Sequence, residues 1–363
     1  MIVSDVSKRA ERKKRAIARL IVGFQGLEPS QELREVLAGE SPAGVILFAR
    51  NIENKVQTQA CNRQLSALWP AGETPWISLD QEGGRVRRIK EHPWPKMRQV
   101  GQKEDLVLTK KVIQALNTEV RQWGFNGNWA PCADVDSNPD NPVIGDRSFS
   151  RDPEVCAKQV IATMEAMEEV GVLPCIKHFP GHGDTDLDSH LDLPWVNKKM
   201  AQLEACEWHP FKRAIQAGAE VIMTAHVMFP ALDADHPATM SHLILQGLLR
   251  QTFGYEGVIV SDDMEMKAVR GRYPVVEQMD KAVRAGVDAF LVCAEADLQA
   301  ECVEQLIYLQ EQHQEHEFLA EQSLRRLQKL MQKRAQLAEV PAPQSSEAYF
   351  TEVCAQFTQG LHV

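Results

Sequence analysis

Several features that mark common classes of protein are missing from this sequence of 363 residues. Apolar runs stay shorter than the roughly 18 residues that cross a membrane, and the polar, basic segment from Met1 to Arg15 lacks the apolar core of a secretory signal. The eight cysteines are scattered and include no Cys-x-x-Cys pair, which argues against a disulfide framework or a cysteine-based zinc site. These absences predict a cytoplasmic protein with reduced thiols, although a mature chain stripped of a leader would look the same.

An excess of positive charge and the glycine-rich nucleotide motifs are also lacking. The chain has 40 lysines and arginines against 50 aspartates and glutamates, a formal net charge of -10 that is well mixed along the sequence. No Gly-x-Gly-x-x-Gly follows the first predicted strand, and no phosphate loop ending in Gly-Lys-Ser/Thr occurs. We therefore expect no nucleic-acid partner, no membrane association and no nucleotide cofactor.

What the sequence does contain is a regular alternation of short apolar runs with segments of helical periodicity. The apolar runs are continuous, which indicates parallel strands covered by helices. We count about eight of them, at residues 16–23, 44–48, 75–79, 127–131, 172–176, 221–225, 257–260 and 289–292. The predicted fold class is α/β, a single (β/α)8 barrel of the TIM type.

Helical segments fill the gaps between these strands and continue beyond the last one. They lie at residues 31–37, 55–68, 105–123, 152–170, 200–216, 241–252, 275–285 and 299–339, with a further short helix at 346–357. We expect one catalytic domain over residues 1–363, with the barrel at about 16–338 and a helical C-terminal extension. The basic N-terminal segment 1–15 and the tail 339–363 have no assigned role.

A doubly wound open sheet is the alternative architecture, and the positions of polar residues argue against it. Asp80, Lys177, His226 and Asp262 each lie at or just after the end of a predicted strand. The carboxyl ends of barrel strands converge on one mouth, whereas an open sheet gathers fewer of them at its switch point. His226 is ambiguous taken alone, and so is the turn at 237–241, whose serine could simply cap a helix.

The densest group of reactive side chains lies at residues 177–190, Lys-His-Phe-Pro-Gly-His-Gly-Asp-Thr-Asp-Leu-Asp-Ser-His. Charged groups that are half buried must be paired or used in chemistry. Asp188 lies two residues before His190, so its carboxylate could accept the Nδ1 proton of the imidazole and let the other nitrogen move a proton. An exposed polar loop is the plainer interpretation of that pair, and burial beside carboxylates is the plainer one for Lys177 and His178.

Three further groups are candidates for chemistry or binding. Asp262 follows a strand and would face the mouth of a barrel, but it could equally cap a helix. The turn at 80–88 combines Asp80 and Arg88 with adjacent glycines, and its charged side chains could hold ligand hydroxyls or simply form surface ion pairs. Arg147 is a third candidate, as another clamp on a ligand.

A metal centre is the competing interpretation of the histidines. His178, His182, His190 and Asp262 resemble a set of ligands, and the first two histidines have the His-x-x-x-His spacing. Zinc sites with that spacing sit on a helix, and the proline and glycines around these histidines rule out a regular helix. We expect no metal and no other cofactor.

Taken together, these segments resemble the bacterial cytosolic β-N-acetylglucosaminidases of glycoside hydrolase family three, the NagZ type. The resemblance runs from about residue 16 to about residue 330 and is close at 79–88, 145–150, 177–190 and 257–263. The pattern at 177–190 is highly specific. The resemblance implies a (β/α)8 barrel, no cofactor, and a small glycan substrate.

The resemblance also implies roles for particular residues. Asp262 would be the nucleophile, His190 the general acid and base, and Asp188 the partner of His190. Five residues would hold the N-acetylglucosamine unit, namely Asp80, Arg88, Arg147, Lys177 and His178. The implied reaction removes N-acetylglucosamine from 1,6-anhydro-N-acetylmuramic acid fragments and their peptides in peptidoglycan recycling. The chain departs from the family at its two ends and at Met264 and Glu265, where relatives often have Leu-Ser.

Other functions stay open at this point. A β-glucosidase or β-xylosidase of the same family would commonly carry a second domain for the acid/base, for which this chain has no room. A phosphorolytic enzyme is compatible with a neutral histidine, which does not repel phosphate. A non-catalytic sugar-binding protein would need neither nucleophile nor proton shuttle, and a metal-dependent amidohydrolase would need a metal. The sequence does not set the oligomeric state, although a monomer is favoured.

Overall fold

The computed structural model describes residues 2–185, 193–341 and 345–358. In these residues nine strands pair in parallel around a common axis. The strands are β1 (Leu20–Val22), β2 (Gly44–Leu47), β3 (Ile77–Leu79), β4 (Gly127–Asn128), β5 (Leu173–Pro174), β6 (Ile176–Phe179), β7 (Val221–Thr224), β8 (Val258–Asp263) and β9 (Ala289–Val292).

The strand order closes the sheet into a barrel. It runs β5-β4-β3-β2-β1-β9-β8-β7-β6, so the first strand pairs with both β2 and the last strand. β5 and β6 are two parts of one run of chain separated by Cys175, whose N–H donates to the carbonyl of Ala130 at 2.9 Å. The N–H of Lys177 likewise donates to the carbonyl of Pro131 at 3.2 Å. Nine strands therefore occupy eight positions, and the predicted (β/α)8 barrel is confirmed.

Helices surround the barrel and continue after its last strand. They are α1 (Ile2–Ile17), α2 (Gln31–Leu37), α3 (Lys55–Ser66), α4 (Met97–Gly101), α5 (Leu106–Gln122), α6 (Pro153–Glu169), α7 (Met200–Ala205), α8 (His209–Gln216), α9 (Lys267–Arg270), α10 (Val275–Ala285), α11 (Ala296–Gln312), α12 (Gln314–Glu339) and α13 (Glu347–Thr358). A π-helical segment occupies Leu243–Thr252, and short 3-10 turns lie at Ala49–Asn51, Gly145–Arg147 and Ala238–Met240. Among the described helices, none has the length and apolarity needed to span a membrane.

Apolar side chains on alternate strand positions fill the barrel, and α12 covers its amino-terminal end. Ile21, Val260 and Leu291 lie in an inner cluster that also takes in Leu327 and Leu330 of α12. The Arg334 guanidinium of α12 donates to the carbonyls of Ala43 and Thr74, just before β2 and β3, at 3.2 and 3.0 Å. The opposite, carboxyl end of the barrel is left for the residues that follow the strands.

The basic segment at the amino terminus is a helix that packs on the last part of the barrel shell. The strand predicted at 16–23 is correspondingly shorter, because α1 continues to Ile17. Arg9 Nη2 lies 2.6 Å from Glu304 of α11, and Arg12 Nη2 lies 2.8 Å from Glu317 of α12. The partners are about 300 residues away in sequence, so local periodicity does not reveal this helix.

Three predicted helices have different limits in the structure. The helix predicted at 200–216 is divided into α7 and α8, because Pro210 has no N–H to continue a helical ladder. The helix predicted at 299–339 begins at Ala296 and is broken at His313, whose backbone is extended. At 241–252 the helical residues begin at Leu243, and Ser241 caps them by accepting the N–H of Ile244 at 3.1 Å.

Candidate active site

Five charged side chains meet at the carboxyl end of the barrel. Asp80 directly follows β3, Lys177 lies in β6, and Arg147 ends a 3-10 turn beyond β4. Glu82 and Arg88 come from the stretch after β3, which we call the β3–α4 loop (residues 80–96). Two carboxylates thus face three cations, and the contacts among them define a single network.

Lys177 is the centre of this network. Its Nζ lies 2.7 Å from Asp80 Oδ1 and 2.7 Å from Glu82 Oε1, and the side chain is 3% exposed. Burial alone would lower the pKa of Lys177, but the two carboxylates raise it above its usual value. The ammonium group therefore stays charged and holds the carboxylates of Asp80 and Glu82 side by side.

Both carboxylates are also bound by an arginine. Glu82 accepts two hydrogen bonds from Arg147, each 2.8 Å long, in the bidentate geometry that suits a guanidinium. Asp80 accepts one from Arg88 Nη2 at 2.9 Å. Although burial would raise the pKa of each acid, the neighbouring cations hold the pKa of Asp80 below its usual value and that of Glu82 well below it. Both acids are ionised at neutral pH.

A second, fully buried carboxylate fixes the start of the loop after β6. Asp134 accepts hydrogen bonds from His178 Nδ1 at 2.7 Å and from the backbone N–H of His182 at 2.6 Å. The first contact places the proton of His178 on Nδ1, so its Nε2 can accept from Arg147 Nη2, 3.4 Å away. Burial opposes ionisation of Asp134, yet its interactions with His178 and with the backbone N–H of His182 hold its pKa well below the usual value.

Cys132 belongs to the same buried group as Asp134 and His178. Its Sγ, an oxygen of Asp134 and a nitrogen of His178 lie within 4.8 Å of one another. The Cys132 thiol donates to Asp134 at 3.1 Å, and burial together with that carboxylate raises its pKa well above the usual value. Cys132, Asp134 and His178 are thus joined by hydrogen bonds in the described structure.

Asp262 is the next-to-last residue of β8 and is half buried at the same end of the barrel. Its Oδ1 accepts the N–H of Asp263 at 2.8 Å. Its charge also acts on His182 of the β6 side. Burial and the neighbouring His178 lower the pKa of His182 to about 4, although Asp134 and Asp262 oppose the shift. His182 is consequently neutral at pH 7, and Asp262 lies within electrostatic range of the residues that follow β6.

Two acidic residues that follow Asp262 in the same turn, Asp263 and Glu265, are in unusual environments. Burial, together with the charge of Glu265, raises the pKa of Asp263 to about 7. Glu265 accepts the N–H groups of Ala294 and Glu295 at 2.7 and 2.8 Å, which ties this turn to the segment after β9. Glu265 therefore has a structural role in the turn.

His226 and Thr239, whose roles the sequence leaves ambiguous, connect the end of β7 to the turn that carries Asp262. His226 is buried at the end of β7, with Nδ1 2.8 Å from Thr239 Oγ1 and Nε2 3.1 Å from the carbonyl oxygen of Asp263. The histidine thus links the end of β7 to the backbone next to Asp262.

The structure brings together five of the eight predicted site residues and places Asp262 at the same end of the barrel. Asp80, Arg88, Arg147, Lys177 and His178 belong to connected contacts. Asp188 and His190 lie outside the described residues. Sequence patterns alone do not single out Glu82 and Asp134: Glu82 is one charged residue among several in its turn, and Asp134 lies six residues beyond the end of β4.

The fold and the mouth define a (β/α)8-barrel enzyme with a charged site at the carboxyl ends of its strands. Comparison with known proteins specifies the class further. Residues 12–330 match the glycosyl hydrolase family 3 N-terminal domain. The chain belongs to glycosyl hydrolase family 3.

Individual relatives agree with this assignment. The chain is 38% identical over 282 residues to β-hexosaminidase A of Pseudoalteromonas piscicida, covering 72% of this chain and 47% of that protein. It is 34% identical over 286 residues to β-hexosaminidase of Nitrosomonas eutropha, covering 77% of this chain and 81% of the relative. The chain therefore spans about half the length of the first relative and about four fifths of the second.

Solved structures are similar over most of the chain. A family 3 β-N-acetylglucosaminidase from Paenibacillus superposes with a TM-score of 0.86 at 33% identity, covering 95% of this chain and 68% of that one. NagZ from Neisseria gonorrhoeae, in complex with N-trifluoroacetyl-D-glucosamine, superposes with a TM-score of 0.72 at 30% identity, covering 89% of this chain and 98% of that one.

Proposed function

We propose that this protein is a retaining exo-β-N-acetylglucosaminidase that hydrolyses terminal non-reducing N-acetylglucosamine from peptidoglycan fragments in the cytoplasm. The observation that carries the proposal is the network of Asp80, Glu82 and Lys177 at the mouth of a family 3 barrel that also holds Asp262. The names of the similar proteins, β-hexosaminidase and β-N-acetylglucosaminidase, support N-acetylglucosamine as the sugar.

The network would bind the sugar through its remaining hydrogen-bonding capacity. Asp80 is ionised and its side chain is 13% exposed, so it can accept hydrogen bonds from sugar hydroxyls, while Arg88, 24% exposed, can donate them. Lys177, Arg147 and Glu82 hold these groups in place before the sugar arrives. Binding then needs little reorganisation of charged side chains.

The reaction would proceed by two displacements at the anomeric carbon. A carboxylate oxygen of Asp262 attacks that carbon while its bond to the leaving oxygen breaks, and His190, paired with Asp188, gives a proton to that oxygen. Neutral His190 next takes a proton from water, which attacks the same carbon and releases Asp262. Two inversions give net retention. The roles of His190 and Asp188 rest on the family resemblance.

The test is turnover of 4-nitrophenyl N-acetyl-β-D-glucosaminide by the wild type and two variants. Asp262→Asn should lose activity almost completely, because the amide is a poor nucleophile. The loss of activity in His190→Ala should depend on the leaving group, and it should be much smaller for substrates whose leaving group needs no proton than for those whose leaving group needs one. Proton NMR of the first product formed should show the β anomer. Unchanged turnover in Asp262→Asn, or a first product of α configuration, would refute the proposal.

Phosphorolysis is the second candidate, and the charges at the mouth favour hydrolysis. Lys177, Arg147 and Arg88 are each already paired with a carboxylate, so little uncompensated positive charge is left among them to attract a phosphate dianion. In phosphate buffer the product should be free N-acetylglucosamine. Formation of N-acetylglucosamine 1-phosphate would show that the enzyme is a phosphorylase and not a hydrolase. Faster turnover of the corresponding glucoside would show that it is a glucosidase and not an N-acetylglucosaminidase.

A further inference from the structure

The C-terminal helix α13 packs directly against the loop that carries three of the charged residues at the mouth. Phe350 of α13 is fully buried. Its ring centroid lies 5.2 Å from that of His92 and 5.8 Å from that of Trp94, both in edge-on geometry. His92 and Trp94 belong to the β3–α4 loop, so the apolar support of this loop comes from the far end of the chain.

The two aromatic side chains of the loop are held from the other side by helix α5. Glu119 of α5 accepts hydrogen bonds from His92 Nδ1 at 2.5 Å and from Trp94 Nε1 at 2.6 Å. Glu347 of α13 lies 3.0 Å from the other nitrogen of His92. His92 is therefore enclosed between α5 and α13, and its position depends on both helices.

Hydrogen bonds to the backbone carbonyls of His92 and Trp94 connect these residues to the other half of the loop. The carbonyl of His92 accepts from Arg87 Nη1 at 2.6 Å, and that of Trp94 accepts from the N–H of Gly84 at 3.0 Å. Arg87 Nε also donates to the carbonyl of Gly84 at 2.7 Å. Residues 84 and 87 are thereby fixed to the part of the loop that touches Phe350.

Gly84 and Arg87 lie close in the loop to Glu82 and Arg88, two of the charged residues at the mouth. The N–H of Glu82 donates to the carbonyl of Val86 at 2.9 Å, and the N–H of Arg88 donates to Gln81 Oε1 at 2.8 Å. A shift of His92 or Trp94 would accordingly displace Glu82 and Arg88, which bind Arg147 and Asp80 respectively.

We infer that Phe350 is a positioning residue for the sugar-binding part of the site, acting through His92 and Trp94 on the β3–α4 loop. The inference rests on the proposed function, because it assumes that Asp80 and Arg88 bind the sugar. It assigns a role to the C-terminal extension, since α13 would set the geometry of a loop that begins about 270 residues earlier in the chain.

The chain offers a matched control on the same helix. Phe357 is also buried, and it lies seven residues, about 10 Å, further along the same face of α13. Either substitution removes a buried phenylalanine ring from α13, whereas the ring contacts of His92 and Trp94 with α13 are made by Phe350. A comparison of the two positions separates loop positioning from the general stability of the helix.

The kinetic test uses the full-length protein with Phe350→Ala, Phe350→Leu and Phe357→Ala. Phe350→Ala should raise KM for the chromogenic N-acetylglucosaminide about tenfold or more with kcat within about threefold, because it disturbs binding of the sugar rather than the reacting groups. Phe350→Leu should recover most of the affinity, and Phe357→Ala should keep the wild-type KM. Equal effects of Phe350→Ala and Phe357→Ala, or a loss confined to kcat, would overturn the inference.

A second measurement does not depend on the substrate. Hydrogen–deuterium exchange of peptides within residues 80–96 should be faster in Phe350→Ala than in the wild type and unchanged in Phe357→Ala. If exchange in this loop is unchanged in Phe350→Ala, the inference is wrong whatever the activity. If the loop is loosened but the wild-type protein does not hydrolyse the substrate, the proposed function fails and the positioning of the loop by Phe350 stands.

Discussion

At the scale of single residues, the acids at the mouth are held in two different protonation states. Asp80 and Glu82 are ionised because Lys177 lies between them. Asp263, one residue beyond the proposed nucleophile, has a pKa raised to about 7 by burial and by Glu265. Asp263 therefore titrates in a pH range in which Asp80 and Glu82 have already lost their protons.

This difference predicts how stability depends on pH. The folded protein retains a proton on Asp263 that the unfolded chain releases above its ordinary pKa of about 4, so the stabilisation is complete below pH 4 and is lost as the pH rises to about 7. Relative to Asp263→Asn, the wild type should lose stability over this range with a slope of up to about 1.4 kcal/mol per pH unit.

Urea unfolding at several pH values between 4.5 and 7.5 measures that slope. Groups such as His182, which titrate in the same range, are present in both proteins and cancel in the comparison. Substitution of the exposed Asp297 by asparagine is the control and should leave the pH profile of the wild type unchanged. Parallel profiles for the wild type and Asp263→Asn would show that Asp263 ionises normally.

At the scale of elements, α1 combines two kinds of attachment to the barrel shell. Arg9 pairs with Glu304 and Glu311, and the Arg9 side chain is 50% exposed. Ile17, at the carboxyl end of the helix, is fully buried. Exposed ion pairs contribute little and are screened by salt, whereas burial of an aliphatic side chain is a larger and salt-independent contribution.

We therefore expect unequal effects from two substitutions in α1. Arg9→Ala should lower the free energy of unfolding by less than about 1 kcal/mol, and the difference should vanish in about 1 M salt, where the Debye length is about 3 Å. Ile17→Ala should cost about 2–5 kcal/mol at either salt concentration. Urea unfolding in low and high salt distinguishes the two; a larger effect for Arg9→Ala would mean that the ion pairs hold the helix.

At the scale of the whole molecule, the cysteines report on the integrity of the barrel. All eight are free, and seven of them are buried, Cys206 being the partly exposed one. Burial raises the pKa of Cys206 to about 12, and it also raises the pKa of the thiols of Cys156 and Cys302 to about 12. The folded protein should therefore present few reactive thiolates.

Titration with 5,5′-dithiobis(2-nitrobenzoate) tests this expectation. The native protein should release at most one equivalent of thionitrobenzoate quickly, and the protein unfolded in guanidinium should release eight. Any fast equivalent should be absent in Cys206→Ser, because Cys206 is the partly exposed cysteine. Two or more fast equivalents in the native protein would show that part of the barrel opens readily in solution.

Local patterns in the sequence determine how much of this molecule can be predicted. The apolar runs alternate with helical segments, and these signals are local, so the barrel and the strand-end positions of Asp80, Lys177 and Asp262 follow from them. The helix α1 and the role of Asp134 do not, because they depend on contacts made across long stretches of chain. Glu82 is recognisable only once Lys177 and Arg147 are seen to converge on it.

The burial of Lys177 between two carboxylates lowers the stability of the fold while it arranges the charges needed for the proposed activity. Three charged groups have been removed from water, and buried triads of this kind can often be replaced by apolar residues of similar volume without loss of stability, or with a gain. Apolar replacement of the whole network, including Arg147 and Arg88 because they would otherwise lose their carboxylate partners, would thus give a barrel at least as stable, but without the charges through which we propose that the sugar binds. Under the proposed function, the stability given up in this way corresponds to charges that are in place, and largely removed from water, before the substrate enters.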